Sequence, residues 1–127
     1  MRPDVERWLL QGKEELDTAK VDFKGGKWFA AAFWTQQAVE KVLKAVYLFI
    51  KKESPGTTHS LTFLGRELGV PQEFWGLLRD STKDYYLSRY PDASEDIPFL
   101  MYHKEDVEMS ISKAEELLQW AEQQLKK

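Results

Sequence analysis

Residues 27–52 read KWFAAAFWTQQAVEKVLKAVYLFIKK, and the fold turns on how this stretch is taken. Phe29, Ala32, Val39, Val42, Leu43, Val46 and Ile50 recur at steps of three and four, the spacing of a helix and not of a strand. They spread over more than one face. A helix apolar on several sides is covered by neighbours on several sides, so 27–52 is expected to be the central helix of a helical protein. One polar stripe interrupts it. Gln37, Glu40 and Lys44 recur at steps of three and four, flanked by Gln36 and Lys41. Two readings compete. The stripe is either the solvated side, with Glu40 and Lys44 paired across one turn, or it faces a groove shared with another helix or subunit.

Helical periodicity extends outward in both directions. Val5, Trp8, Leu9, Leu16, Ala19 and Phe23 form a stripe that follows Pro3, a residue suited to a first helical turn. Gly25-Gly26 ends that helix. After the break at ESPGTTH, Leu61, Leu64 and Leu68 mark a short helix with Gly69 as its C-terminal cap. Pro71 opens a fourth, with Phe74, Leu78, Thr82 and Tyr85 on one stripe and Gly76 as a weak point inside it. Pro91 ends it, because proline lacks the N–H that the ladder needs and restricts the residue before it. The last helix carries Val107, Ile111, Ala114, Leu118, Ala121 and Leu125. Short connections favour antiparallel neighbours. The expected fold is all-α: an antiparallel up-and-down bundle of four long helices plus one short helix, forming a single domain over residues 1–127.

Composition bounds the function. The chain has 127 residues, a net charge of −3 and no cysteine. Thiolate metal sites, disulfides and cysteine catalysis are therefore excluded. No basic field draws the chain onto nucleic acid. The N-terminus lacks an apolar signal core, and the runs WFAAAFW and AVYLFI are too short to span a bilayer, so a soluble cytoplasmic protein is expected, without a membrane partner. There is no glycine-rich phosphate loop or nucleophile elbow, and the two histidines lack metal-ligand spacing, so no metal is expected.

Three polar groups remain as candidates. The stripe on the central helix is the first. The second is DYYLSRYPDASED, 84–96, where Arg89 lies among Tyr85, Tyr86 and Tyr90 before Pro91-Asp92. A guanidinium is a planar fork suited to carboxylate or phosphate, and tyrosines supply ring faces and hydroxyls. The plainer alternative pairs Arg89 with a carboxylate such as Glu40. The third is TTHS, 57–60, where His59 precedes a helix that Thr58 or Ser60 can cap. A histidine there commonly fixes the loop by a local hydrogen bond. His103 stands alone near the start of the last helix and carries little weight.

Taken in order, Ala31-Ala32-Phe33-Trp34-Thr35-Gln36-Gln37-Ala38-Val39-Glu40-Lys41-Val42-Leu43-Lys44-Ala45, then Thr58-His59-Ser60-Leu61, then Arg89-Tyr90-Pro91-Asp92, the sequence resembles the HEPN domains. The resemblance covers nearly the whole chain. It implies a five-helix fold, commonly a homodimer, and often action beside a minimal nucleotidyltransferase in two-component modules of the toxin–antitoxin type. Some members are metal-independent ribonucleases; others bind nucleotides or serve as non-catalytic partners. The ribonucleases carry an arginine followed, after four to six residues, by a histidine. Neither His59 nor His103 follows an arginine at that spacing. The first expectation is therefore a nucleotide-binding or accessory protein that requires no cofactor. Its ligand would be a nucleotide, with Arg89 and Lys44 on phosphate and Tyr86 or Tyr90 on the base. Gln37 and Glu40 would line the groove, and His59 would add a hydrogen bond. The rivals are an RNA endonuclease using His59 and Arg89, and a docking partner without a small ligand.

Overall fold

The computed structural model describes residues 1–89 and 97–127, with the backbone alone over 83–89 and at Pro98. Among these residues five α-helices run in the order α1 (Pro3–Lys24), α2 (Trp28–Lys51), α3 (Leu61–Leu68), α4 (Trp75–Arg89) and α5 (Lys104–Gln124). Short 3-10 turns at Gln72–Phe74 and Pro98–Met101 lead into α4 and α5. Among the described residues there is no strand.

The helix ends follow their local chemistry. Pro3 begins α1, and Gly26 leaves it at φ +77°. Ser60 accepts a hydrogen bond from the Phe63 N–H and caps α3, while Gly69, at φ +64°, closes it. The fourth helix differs slightly from expectation. Its regular turns begin at Trp75, because Pro71 initiates a 3-10 turn first.

The long helices pack as the bundle geometry requires. Arg2 reaches the Leu48 carbonyl at one end of the α1–α2 pair and Lys41 reaches Glu15 near its middle, so the two helices are antiparallel. Lys13 pairs with Glu122 and Lys20 with Glu115, so α1 is also antiparallel to α5. Gly12 permits the close crossing of α1 over α2: a Cβ there would lie 2.8 Å from Val42 Cγ2 and 3.3 Å from the Ala38 carbonyl. Gly65 plays the same part where α3 meets Leu78 of α4. Gly76 has no such role. A Cβ built on it meets nothing within 4 Å, and its φ is not positive. A glycine inside a helix costs about 1 kcal/mol relative to alanine.

The core has two parts. The larger joins Leu16, Val39, Leu43, Leu61, Leu64, Phe74, Leu78, Val107 and Leu117 across all five helices. The smaller joins Val5, Leu9, Val46, Ala121 and Leu125 where α1, α2 and α5 meet. Of the expected inward positions Ile50 reaches solvent, while Trp8, Phe23, Phe29, Leu68 and Leu118 are half-buried. Ile50 is 45% exposed, because α1 begins opposite Leu48 and the last turn of α2 extends past it. On α5 the fully buried place belongs to Leu117, and Leu118 sits half-buried at the seam between the two clusters.

Candidate functional site

The polar stripe of α2 divides into two rows that do different things. Residues four apart nearly superpose on a helix, while adjacent residues differ by about 100°. Gln36, Glu40 and Lys44 therefore form one row, and Gln37 and Lys41 the next. The first row is buried: Gln36 is 1%, Glu40 4% and Lys44 5% exposed. This removes the solvated-side reading for Glu40 and Lys44.

Glu40 is the hub. Its Oε2 accepts from Lys44 Nζ at 3.3 Å, and its Oε1 accepts from Gln36 Nε2 at 3.4 Å and faces His59 Nδ1 at 3.0 Å. The Nδ1 edge of the ring is thereby committed to the carboxylate. Among the described residues Lys44 has two partners in this buried place: the Glu40 carboxylate and the Trp8 ring, 5.5 Å from its Nζ. Gln36 Oε1 is buried and has no hydrogen-bond partner among the described residues. The second row turns toward α1. Lys41 Nζ lies 3.1 Å from both oxygens of Glu15 and donates to Gln37 Oε1 at 3.2 Å. Gln11 Nε2 completes this group with a 2.7 Å bond to Glu15.

His59 is held from the loop side as well. Ser60 N–H bonds to Thr58 Oγ1 at 3.1 Å, and Leu61 N–H bonds to Thr82 Oγ1 at 3.0 Å, which ties the loop to α4. Its side chain remains 40% exposed, so the ring connects the buried Glu40 to the surface. Arg89 is the last residue of α4. It lies two helical turns beyond Thr82, about 10 Å along the axis. The side chains of Tyr85, Tyr86 and Arg89, and the whole of Tyr90, Pro91 and Asp92, lie outside the described residues, as does any pairing of Arg89 with Glu40. His103 is exposed at the start of α5 and makes no capping bond.

The structure thus brings Glu40, Lys44 and His59 together and turns Gln37 toward Glu15. Sequence reasoning missed Trp8 as a partner of Lys44 and Glu15 as a buried carboxylate. The second had a signal. Glu15 lies one turn after Gly12, where the α1 stripe narrows to let α2 approach. Among the described residues no three histidines or acids converge to hold a metal, and no helix is long and apolar enough to cross a membrane.

The chain matches a known family. The HEPN domain model matches residues 5–124, and the chain belongs to the HEPN family. It is similar to TT1696 from Thermus thermophilus, whose crystal structure superposes with a TM-score of 0.86 at 26% identity, covering 98% of this chain and 100% of that one. It is also similar to ST0689, described as an archaeal HEPN homologue, with a TM-score of 0.81 at 31% identity over 98% of this chain and 99% of that one. No curated protein matches the chain.

Proposed function

We propose that this chain is a nucleotide-binding or accessory HEPN protein of the prokaryotic cytoplasm. It works as a homodimer beside a minimal nucleotidyltransferase in a two-component module of the toxin–antitoxin type. The observation that carries the binding role is the half-exposed His59 braced on a buried Glu40–Lys44 pair. A ring held in one orientation at the surface is a pre-organised hydrogen-bonding group. In this reading His59 meets the ligand directly, and Arg89 takes its phosphate. Tyr86 or Tyr90 stacks on the base. Glu40 and Lys44 act from beneath, with Gln37 on the neighbouring row. Thermal shift with a nucleotide panel, with and without magnesium, tests it. A ligand at a hundred times its Kd stabilises by about 2.7 kcal/mol, several degrees in a domain this size. The shift is expected in the wild type and lost in Arg89→Ala and His59→Ala. No shift with any nucleotide on folded protein would leave partner docking as the function.

The same geometry supports a second reading, metal-independent RNA cleavage. A carboxylate bonded to Nδ1 of a histidine is an arrangement suited to general acid–base work at Nε2. Arg89 would then stabilise the charge on the phosphate. RNA cleavage in excess EDTA that disappears in His59→Ala would establish it, and intact RNA after prolonged incubation would exclude it.

A further inference from the structure

A second surface, away from the Glu40 hub, carries its own evidence of a partner. A cavity of about 400 Å³ lies where α4, α5 and the start of α2 meet. Ala32, Leu77 and Val107 line it, all three nearly inaccessible to solvent. Met101 and Met109 stand at its edge and are exposed, Met109 at 68%. Methionines at a surface adapt to incoming apolar side chains.

Gly76 is part of the wall. At Gly12 and Gly65 a side chain would strike the neighbouring helix, which explains those glycines. At Gly76 there is open space and an ordinary φ. Neither packing nor backbone conformation requires glycine there. What its missing side chain does is widen the cavity, at the expense of helix α4.

The rim is acidic. Glu73, Asp80 and Asp106 line the cavity, and none lies within 4 Å of a cationic side chain among the described residues. The lysine at the rim, Lys113, is engaged with Glu116 at 3.5 Å. The helix dipole accounts for Asp106 in the first turn of α5, but not for Asp80 in the middle of α4. Beyond the rim the apolar surface continues. Tyr102 of the cavity wall meets Phe29 edge-on at 5.8 Å, and Phe29 lines a second hollow together with Phe99. Phe99 and Leu100 are both more than half exposed. Exposed apolar side chains gathered around a cavity mark an interaction site, and a small molecule seated in the cavity would leave Phe99 and Leu100 uncovered.

We propose that this groove docks a segment of a partner protein. The segment is an amphipathic helix whose large apolar residue enters beside Gly76 and whose flanking lysines or arginines meet Glu73, Asp80 and Asp106. The proposal is independent of ligand binding at His59. The partner is a different chain, since this chain's own net charge of −3 offers no general attraction to an acidic rim.

The probe is a fluorescein-labelled synthetic helix with leucine and phenylalanine on one face and lysines flanking it. Its control has every lysine replaced by glutamate. Anisotropy with the full chain should show micromolar binding of the basic peptide and none of the acidic one. Gly76→Leu fills the cavity, and Asp80→Lys with Asp106→Lys reverses the rim; each should weaken binding about tenfold or more. Circular dichroism reports whether each variant is folded, and the rim variant, altered only at exposed positions, keeps the test alive if Gly76→Leu is not. Equal binding of both peptides, or unchanged affinity in a folded variant, overturns the proposal. So does a change of oligomeric state caused by Gly76→Leu, which would assign the groove to a second copy of this chain.

Discussion

The two polar rows of α2 each carry a glutamine and a lysine, yet they meet different environments. Lys41 points to α1 and shares Glu15 with Gln11, with a fifth of its side chain still reaching water. Lys44 points inward, its side chain 6% exposed, and meets Glu40 and the face of Trp8. A lysine with a path to solvent can keep its charge hydrated when its partner is lost. A buried one cannot. The first pair fastens two helices to each other; the second braces one helix against a surface histidine.

That difference can be broken experimentally, and the largest effect is expected at Glu40. Glu40→Ala strands the Lys44 ammonium in the core and should lower the unfolding free energy by about 3–5 kcal/mol. Replacing Glu40 and Lys44 together by leucine should recover most of the loss, because no charge is then left unpaired. Urea denaturation of the three proteins gives both numbers. A fall no larger than that of Lys41→Ala would mean that Lys44 reaches water after all.

Lys41→Ala comes next, at about 1–2 kcal/mol. It leaves the buried Glu15 carboxylate with Gln11 as its remaining partner. A double-mutant cycle on Glu15 and Lys41 should give a smaller coupling than one on Glu40 and Lys44, since coupling grows as solvent is excluded. Smaller again is His59→Ala, at about 1 kcal/mol, because the ring is part-exposed and Glu40 keeps Gln36 and Lys44. If His59 is a ligand contact, its loss should weaken binding far more than folding.

The smallest effect belongs to a pair outside both rows. The Arg2 side chain, hydrogen-bonded to Asp4, holds its carboxyl below the ordinary 3.8. A lowered pKa stabilises the fold above that value, and the gain is lost as pH falls through the folded pKa. Both groups are exposed, so Asp4→Asn should leave the melting midpoint unchanged at neutral pH and alter only the acid limb of the stability curve slightly.

Most of the fold was readable from residue spacing. The stripes Val5–Leu9–Leu16–Ala19 and Val107–Ile111–Ala114 are buried as their periodicity requires, and α3 is capped by the Ser60 hydroxyl and by the left-handed backbone of Gly69. The errors arose where a neighbour ends. No local signal says that α1 begins opposite Leu48 and leaves Ile50 in solvent, or that Gly76 borders a cavity while Gly65 borders Leu78.

The site divides in the same way. The sequence put Glu40 and Lys44 on one polar stripe, read there with Gln37, whose place in the row belongs to Gln36 by the four-residue step of the helix repeat. It also placed His59 immediately before α3. Only the tertiary structure decided that this face points inward, that Trp8 of α1 covers Lys44, and that His59 crosses nineteen positions to reach Glu40. Periodicity fixes an angle around one helix axis. Which side of that axis is dry depends on where the other helices lie, and that is settled by packing of the whole chain.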